Sequence, residues 1–375
     1  TAIRVIKAFV REDYECENFE EAANTLRRFQ LRAEKMVILA MPVMMTAMYA
    51  CIIAVLWFGG LQIIGGTMDA GALFSFISYV AQILISLMMI SVAFMTLVVS
   101  RASIRRIVEI IDEQPDIADN NAEDAPTVAD GSISFSHVDF SYNKDANNLN
   151  LQDINLEISS GETVGIIGGT GSAKTTLVQL IPRLYDVLSG SVKVGGHDVR
   201  EYKLDDLRSN VAMVLENYLL FSGTIAENLR WGKEDATDEE LIAAAKVAQA
   251  DDFISAMPDG YQTMLGQAGV NLSGGQKQRL CIARALLKHP KIIILDDSTS
   301  AVDTATDARI RAGFKNELAG TTTIIIAQRI SSVMDADKIV VMEEGKISAV
   351  GTHDELMATN KIYAEVFRSQ QKGVA

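Results

Sequence analysis

The densest chemistry in this chain lies at Gly168-Gly169-Thr170-Gly171-Ser172-Ala173-Lys174-Thr175-Thr176. Glycines beside a lysine and hydroxyl groups can turn successive backbone N–H groups into one concavity, which suits an anion. The apolar run at 163–167 in front reads as a buried strand, and a helix is expected from Leu177 onward. In such a strand–loop–helix, Lys174 reaches the β- and γ-phosphates of a nucleotide and the Thr175 hydroxyl coordinates Mg²⁺. The glycine expected before the lysine is replaced by Ala173, whose methyl group can crowd a phosphate and disfavours a positive φ. A glycine-rich turn of an unrelated domain could show this loop alone, so a second element decides. Asp296 stands at the tip of Ile292-Ile293-Ile294-Leu295, where a carboxylate holds magnesium. Asp297 follows at once, in the place of a general base for an attacking water.

These groups need a rigid frame. The segment 133–140 alternates apolar and polar residues, which predicts a half-buried strand. The runs at 163–167, 291–295 and 322–326 predict fully buried strands with helices between them, hence an α/β domain with a parallel core sheet over 131–375. Ahead of it the composition changes. No charged residue lies between Lys35 and Asp69, nor between Asp69 and Arg101. Each gap exceeds the ~20 residues that span a ~30 Å hydrocarbon core. Residues 36–110 are expected to form a membrane hairpin, residues 1–35 a charged helical arm, and the acidic stretch 111–130, with Pro115 and Pro126, a linker.

Arg27, Arg28, Arg32 and Lys35 precede the first run, Arg101, Arg105 and Arg106 follow the second, and the turn between them has no Lys or Arg. The positive-inside rule places both outer ends in the cytoplasm and the turn outside. Trp57 and Phe58 are candidates for the outer interface. Methionines such as Met44, Met48 and Met89 could line a greasy pocket, lipid contact or packing being the plainer reading. A net charge of −14 argues against nucleic acid as a main partner. Cys16, Cys51 and Cys281 lack metal-ligand spacing and fit a reduced compartment. A start at Thr1, within an amphipathic stretch, suggests a fragment of a longer protein.

Between Lys174 and Asp296 lies Leu272-Ser273-Gly274-Gly275-Gln276, followed by Lys277-Gln278-Arg279. In this order the pentapeptide resembles the signature of ABC transporters, and with the two spans in front the chain resembles a half-transporter of the multidrug or lipid exporter type over essentially its whole length. The resemblance implies an α-helical transmembrane segment of two spans joined to an α/β P-loop NTPase cassette, with a β-rich subdomain and a helical signature subdomain. It implies that Leu272–Gln276 forms a second phosphate cradle facing ATP held by another cassette, so that two cassettes sandwich two ATP molecules. Tyr142 would stack on adenine, and Ser300 and Asp303 would belong to a loop crossing the dimer interface. Lys7–Asp13 would form the coupling helix between spans four and five, with Phe9 as its apolar anchor, and the two spans here would be the fifth and sixth.

Four residues depart from the family pattern. Ala173 replaces a loop glycine, Glu216 a glutamine that senses γ-phosphate and magnesium, Asp297 the catalytic glutamate and Gln328 the switch histidine. Asp297 is one methylene short, and a misplacement of about 1 Å can cost ~10²-fold. Gln328 can donate a hydrogen bond but carries no charge. Together these changes imply a site that binds Mg-ATP and hydrolyses it slowly, beside an intact signature that serves a partner. The expectation is a multi-pass cell-membrane protein with a cytoplasmic cassette. It would export a hydrophobic small molecule, lipid or peptide, paired with a different half-transporter that has a competent glutamate and switch histidine. A homodimer with active sites, and a membrane-anchored ATP-driven clamp that transports nothing, are the alternatives. An importer is disfavoured because importers usually keep cassette and spans on separate chains.

Overall fold

The computed structural model describes residues 2–119, 122, 124–296, 306, 309–310, 312–314 and 320–372. The chain divides into two compact units, Thr1–Gln114 and Pro115–Ala375.

The first unit consists of α1 (Ala2–Ala8), α2 (Glu12–Ile64) and α3 (Ala70–Ile111). The arm and the first span are one continuous helix of 53 residues. Within it Pro42–Ile64 is long and apolar enough to cross a membrane, as is α3. The segment Lys7–Asp13 is not a single helix, contrary to expectation. α1 closes in a Schellman turn, with the Val10 N–H donating to Lys7 O at 3.3 Å and the Arg11 N–H to Ile6 O at 3.0 Å. Val10 takes φ 51° there, a conformation that favours glycine, and the helix breaks in the middle of the segment. The hairpin apex repeats the turn with Gly66 at φ 70°, the Thr67 N–H donating to Gln62 O at 3.0 Å. Asp69 then caps α3 by accepting from the Gly71 N–H at 3.0 Å. Gly59 is buried against α3, where a Cβ would come within 2.4 Å of Leu73 Cδ1. A small residue therefore lets the two helices meet. No described residue of α3 is buried, and Phe74, Ile90 and Val99 turn apolar surface outward.

The second unit begins with β1 (Ile133–Phe140), β2 (Leu151–Ile158) and β3 (Thr163–Gly168), followed by α4 (Lys174–Gln179), β4 (Ser189–Val194) and β5 (His197–Asp198). Then come α5 (Leu204–Asn210), β6 (Val211–Val214), β7 (Gly223–Thr224), α6 (Ile225–Arg230), α7 (Asp238–Val247), α8 (Asp251–Ser255) and β8 (Met264–Leu265). The chain continues through α9 (Gly274–Leu286), β9 (Ile292–Asp296), β10 (Thr322–Ile326), β11 (Lys338–Glu343), β12 (Lys346–Gly351), α10 (His353–Thr359) and α11 (Lys361–Lys372). A four-stranded antiparallel sheet runs β2-β1-β4-β5, and a six-stranded sheet runs β12-β11-β3-β10-β9-β6. In the larger sheet β11, β3, β10, β9 and β6 are parallel, and only the edge strand β12 is antiparallel. β9 and β10 are buried along their whole length, which accounts for the apolar runs at 292–295 and 324–326. One core, with Val138, Ile154, Leu180 and Ile294, lies towards the antiparallel sheet. The other, with Ile225, Leu241, Ile282 and Ile293, joins the sheet to the helices around α9.

Three boundaries differ from expectation. β3 and β9 end one residue later, so Gly168 and Asp296 are parts of strands. The helix after the glycine-rich loop starts at Lys174, not Leu177. The stretch expected as a linker is tied down from Asp116 onward. Asp116 pairs with Lys144 at 3.0 Å, Asp119 accepts from the Leu204 N–H at 2.7 Å, and the Val128 N–H donates to Asp206 at 2.9 Å.

Candidate functional site

The parallel sheet gathers the candidate residues at one edge. The glycine-rich loop leaves the carboxyl end of β3, Asp296 ends β9, Gln328 follows β10 and Glu216 follows β6. Register pairs Ile326 with both Ile166 and Asp296, so the three central strands end at one level. Crevices outside the carboxyl ends of parallel strands are where open α/β sheets bind ligands.

The loop is held by close backbone contacts. A Cβ on Gly168 would lie 2.3 Å from the Met342 carbonyl oxygen of neighbouring β11, so only glycine fits. Ala173 adopts φ 67°, ψ 26° at the N-cap of α4. This is the left-handed conformation that its methyl group opposes, at roughly 1–2 kcal/mol for an L-residue. The Lys174 ammonium curls over the loop and donates to Gly168 O at 2.9 Å, Gly169 O at 2.8 Å and Ser172 Oγ at 3.3 Å. α4 has only six residues, so the N–H groups of the loop, more than a helix dipole, set the local potential.

Beneath the loop, the Thr175 hydroxyl donates to Asp296 Oδ1 at 3.1 Å across 121 positions of sequence. Asp296 is 2% exposed. On the other side Tyr142, from the segment after β1, places its hydroxyl 3.0 Å from Thr176 Oγ1 and donates to Gln179 Oε1 at 3.3 Å. Its ring packs edge-on against Phe140 and Tyr185, with centroids 4.9 and 5.1 Å away. Tyr142 is 45% exposed. Thus Tyr142, Thr175, Thr176, Lys174 and Asp296 converge. Glu216 is exposed two positions beyond β6, and Gln328 is exposed two positions beyond β10. Asp297, Ser300 and Asp303 lie outside the described residues.

The segment Leu272–Gln276 is built differently. Leu272 is buried, Ser273 is the N-cap of α9, and Gly274 and Gly275 are its first two residues. Ser273 Oγ accepts from the Gln276 N–H at 3.3 Å and Gln276 Oε1 accepts from the Ser273 N–H at 2.9 Å, a capping box. The N–H groups of the two glycines, at the first positions of the helix, have no partner within it. Burial pushes the Cys281 thiol up, so it stays protonated within α9. Two groups near the site carry no motif. Gln179 meets Tyr142 one turn into α4, and Gln370, on α11, bonds both Gln328 and Ile330.

Residues 151–300 match the family model described as ABC transporter, and residues 1–99 match the one described as ABC transporter transmembrane region. The chain is similar to an ABC transporter ATP-binding protein of Mycobacterium tuberculosis, 42% identical over 99% of this chain and 64% of that protein. It is also similar to an ATP-dependent lipid A-core flippase of Desulfotalea psychrophila, 36% identical over 98% of this chain and 64% of the flippase. Its fold matches the structure of a bacterial Atm1-family ABC exporter with ATP bound, with TM-score 0.90 and 30% identity over 98% of this chain and 65% of that one. The chain therefore spans slightly less than two thirds of these relatives.

Proposed function

The chain belongs to the ABC transporters, and on that premise we propose that it forms the last two spans and the cassette of one half of an ATP-driven exporter. The observation that carries this reading is the Thr175–Asp296 bond beneath the Lys174 loop. It brings a hydroxyl, a buried carboxylate and a cation to one edge of the sheet.

The phosphates of ATP lie in the loop Gly168–Lys174, with the Lys174 ammonium moving from the loop carbonyls onto phosphate oxygens. Tyr142 supplies a ring face for the adenine. A hydroxyl and a carboxylate form an oxygen donor set suited to Mg²⁺, a hard cation that takes few protein ligands and completes its shell with water and phosphate. Among the described residues no cluster of three or more His, Cys, Asp or Glu offers a fuller cage. Thr175 and Asp296, with Glu216 reaching in from β6, would hold it. The ion, when bound, neutralises charge on the phosphates.

Ser273, Gly274 and Gly275 present their N–H groups and the Ser273 hydroxyl to ATP on a second cassette. The second half is a different chain with a competent catalytic glutamate and switch histidine. Asp297, Gln328, Glu216 and the strained Ala173 make this chain's own site the slow one. The exposed apolar faces of α2 and α3 are covered by the bilayer and by further spans, with both outer ends of the hairpin in the cytoplasm. The cargo is a hydrophobic or amphipathic molecule, a lipid being favoured by the likeness to a flippase.

ATP binding and turnover, measured side by side on the full-length protein in lipid without a partner, test this. Tight binding with turnover near background supports it. Brisk turnover that vanishes in Asp297→Asn would establish a self-sufficient homodimer instead.

A further inference from the structure

β10 ends at Ile326, and the chain's last bond to the neighbouring strand there is from the Ala327 N–H to Ile166 O of β3 at 3.2 Å; Gln328 to Ile330 lie beyond it. Their backbone groups still need partners. A glutamine 40 positions away supplies two of them. Gln370 Nε2 donates to Gln328 O at 2.8 Å, and Gln370 Oε1 accepts from the Ile330 N–H at 2.9 Å. The carbonyl and the N–H flank Arg329, so one side-chain amide bonds across that residue as a parallel strand would.

The clasp is anchored. Gln370 lies on α11 seven positions after Tyr363, on the same helix face. Tyr363 is fully buried, and its hydroxyl lies 2.6 Å from His353 Nδ1 on α10. The His353 ring packs against both Tyr363 and Phe367, with centroids 5.6 and 4.9 Å away. Gln370 is therefore delivered from a fixed helix. A cavity of about 530 Å³ separates α11 from the glycine-rich loop, lined by Gly169, Thr170, Gln328 and Ile330 on one side and by Ile362 and Val366 of α11 on the other. Gln328 and the glycine-rich loop thus border one space, whose far wall is α11.

We propose that Gln370 is a positioning residue. It fixes the backbone on both sides of Arg329, and so holds Gln328 where it distinguishes a nucleotide with a γ-phosphate from one without. This rests on the reading of Gly168–Thr176 as the ATP loop. A clasp of this kind makes the C-terminal helix part of nucleotide sensing, although α11 supplies no atom to the phosphates.

The test is the ratio of MgATP to MgADP affinity on the full-length protein in lipid, for wild type, Gln370→Ala and Gln370→Glu. Loss of both bonds lowers the ratio about tenfold in Gln370→Ala, with MgADP affinity unchanged, since two neutral hydrogen bonds are at stake. Gln370→Glu keeps the acceptor for the Ile330 N–H but sets a carboxylate oxygen against the Gln328 carbonyl where the donor stood, so its ratio falls as well. It is nearly isosteric and carries the test if the alanine variant does not fold. An unchanged ratio, or equal weakening of both nucleotides with a lowered Tm, overturns the proposal and reduces α11 to a structural support. Failure of the wild type to bind MgATP at all would instead sink the ATP-loop reading, and the inference with it.

Discussion

The two glycine-bearing turns of the cassette, 168–176 and 272–276, are opposites in construction. Gly168–Thr176 works only as an assembly: it needs β11 close behind Gly168, Asp296 from β9 under Thr175, and Tyr142 from beyond β1. It also holds an alanine in a conformation meant for glycine. Leu272–Gln276 is self-contained, because its serine and glutamine satisfy each other within one turn. An assembled site degrades when any distant contributor changes, whereas a local cap survives as long as its own residues do. Under the function proposed above, a chain could thus lose hydrolytic competence in the first while still lending an intact second.

The comparison breaks most directly at Lys174. Lys174→Ala removes the only side-chain cation within the loop and should lower ATP affinity about 100-fold, measured on the full-length protein, since charge-assisted hydrogen bonds are the strong ones. Next comes the pair Ser273→Ala and Asp297→Asn in the complete transporter. The first should cut turnover on the order of 30-fold, the scale of a lost hydrogen bond to a charged group, and the second by no more than about twofold. Equal losses would mean that the two halves share the chemistry. Ala173→Gly sharpens the contrast by relieving the left-handed strain. The cassette should gain about 1 kcal/mol, read as a rise of ~2–4 °C in Tm. The smallest effect belongs to Gln276→Glu. A carboxylate fills the capping box as well as the amide does, so Tm holds, but its charge beside a phosphate should weaken the partner's ATP by about two- to threefold.

Much of this fold can be read from period and burial. Ile133–Phe140 alternates and is a half-buried strand, and the apolar runs at 292–295 and 324–326 lie in β9 and β10, which are buried along their whole length. Local backbone geometry is harder. Lys174-Thr175-Thr176 has no helical periodicity, yet the loop's closing turn already sets it as helix. Val10 is a β-branched residue in a left-handed turn, a conformation its side chain opposes, so the break between α1 and α2 leaves no mark in the pattern of apolar residues. The motif residues near the phosphate loop declare themselves by type and spacing. Gln179 and Gln370 do not, because a glutamine bonding to a tyrosine or to a backbone resembles any surface glutamine until the fold brings the pair together.

One helix has a mechanical consequence. At 1.5 Å per residue the 53 residues of α2 make a rod of about 80 Å. Pro42 lies inside it and has no N–H to donate to the carbonyl one turn back, while its own carbonyl accepts a second bond, from the Thr46 hydroxyl at 2.8 Å. Bending stiffness is therefore lowest near Pro42, where the polar arm gives way to the apolar span. A torque applied at Glu12 reaches Ile64 through that one compliant joint, so the rod acts as a lever with its give built in at a known place.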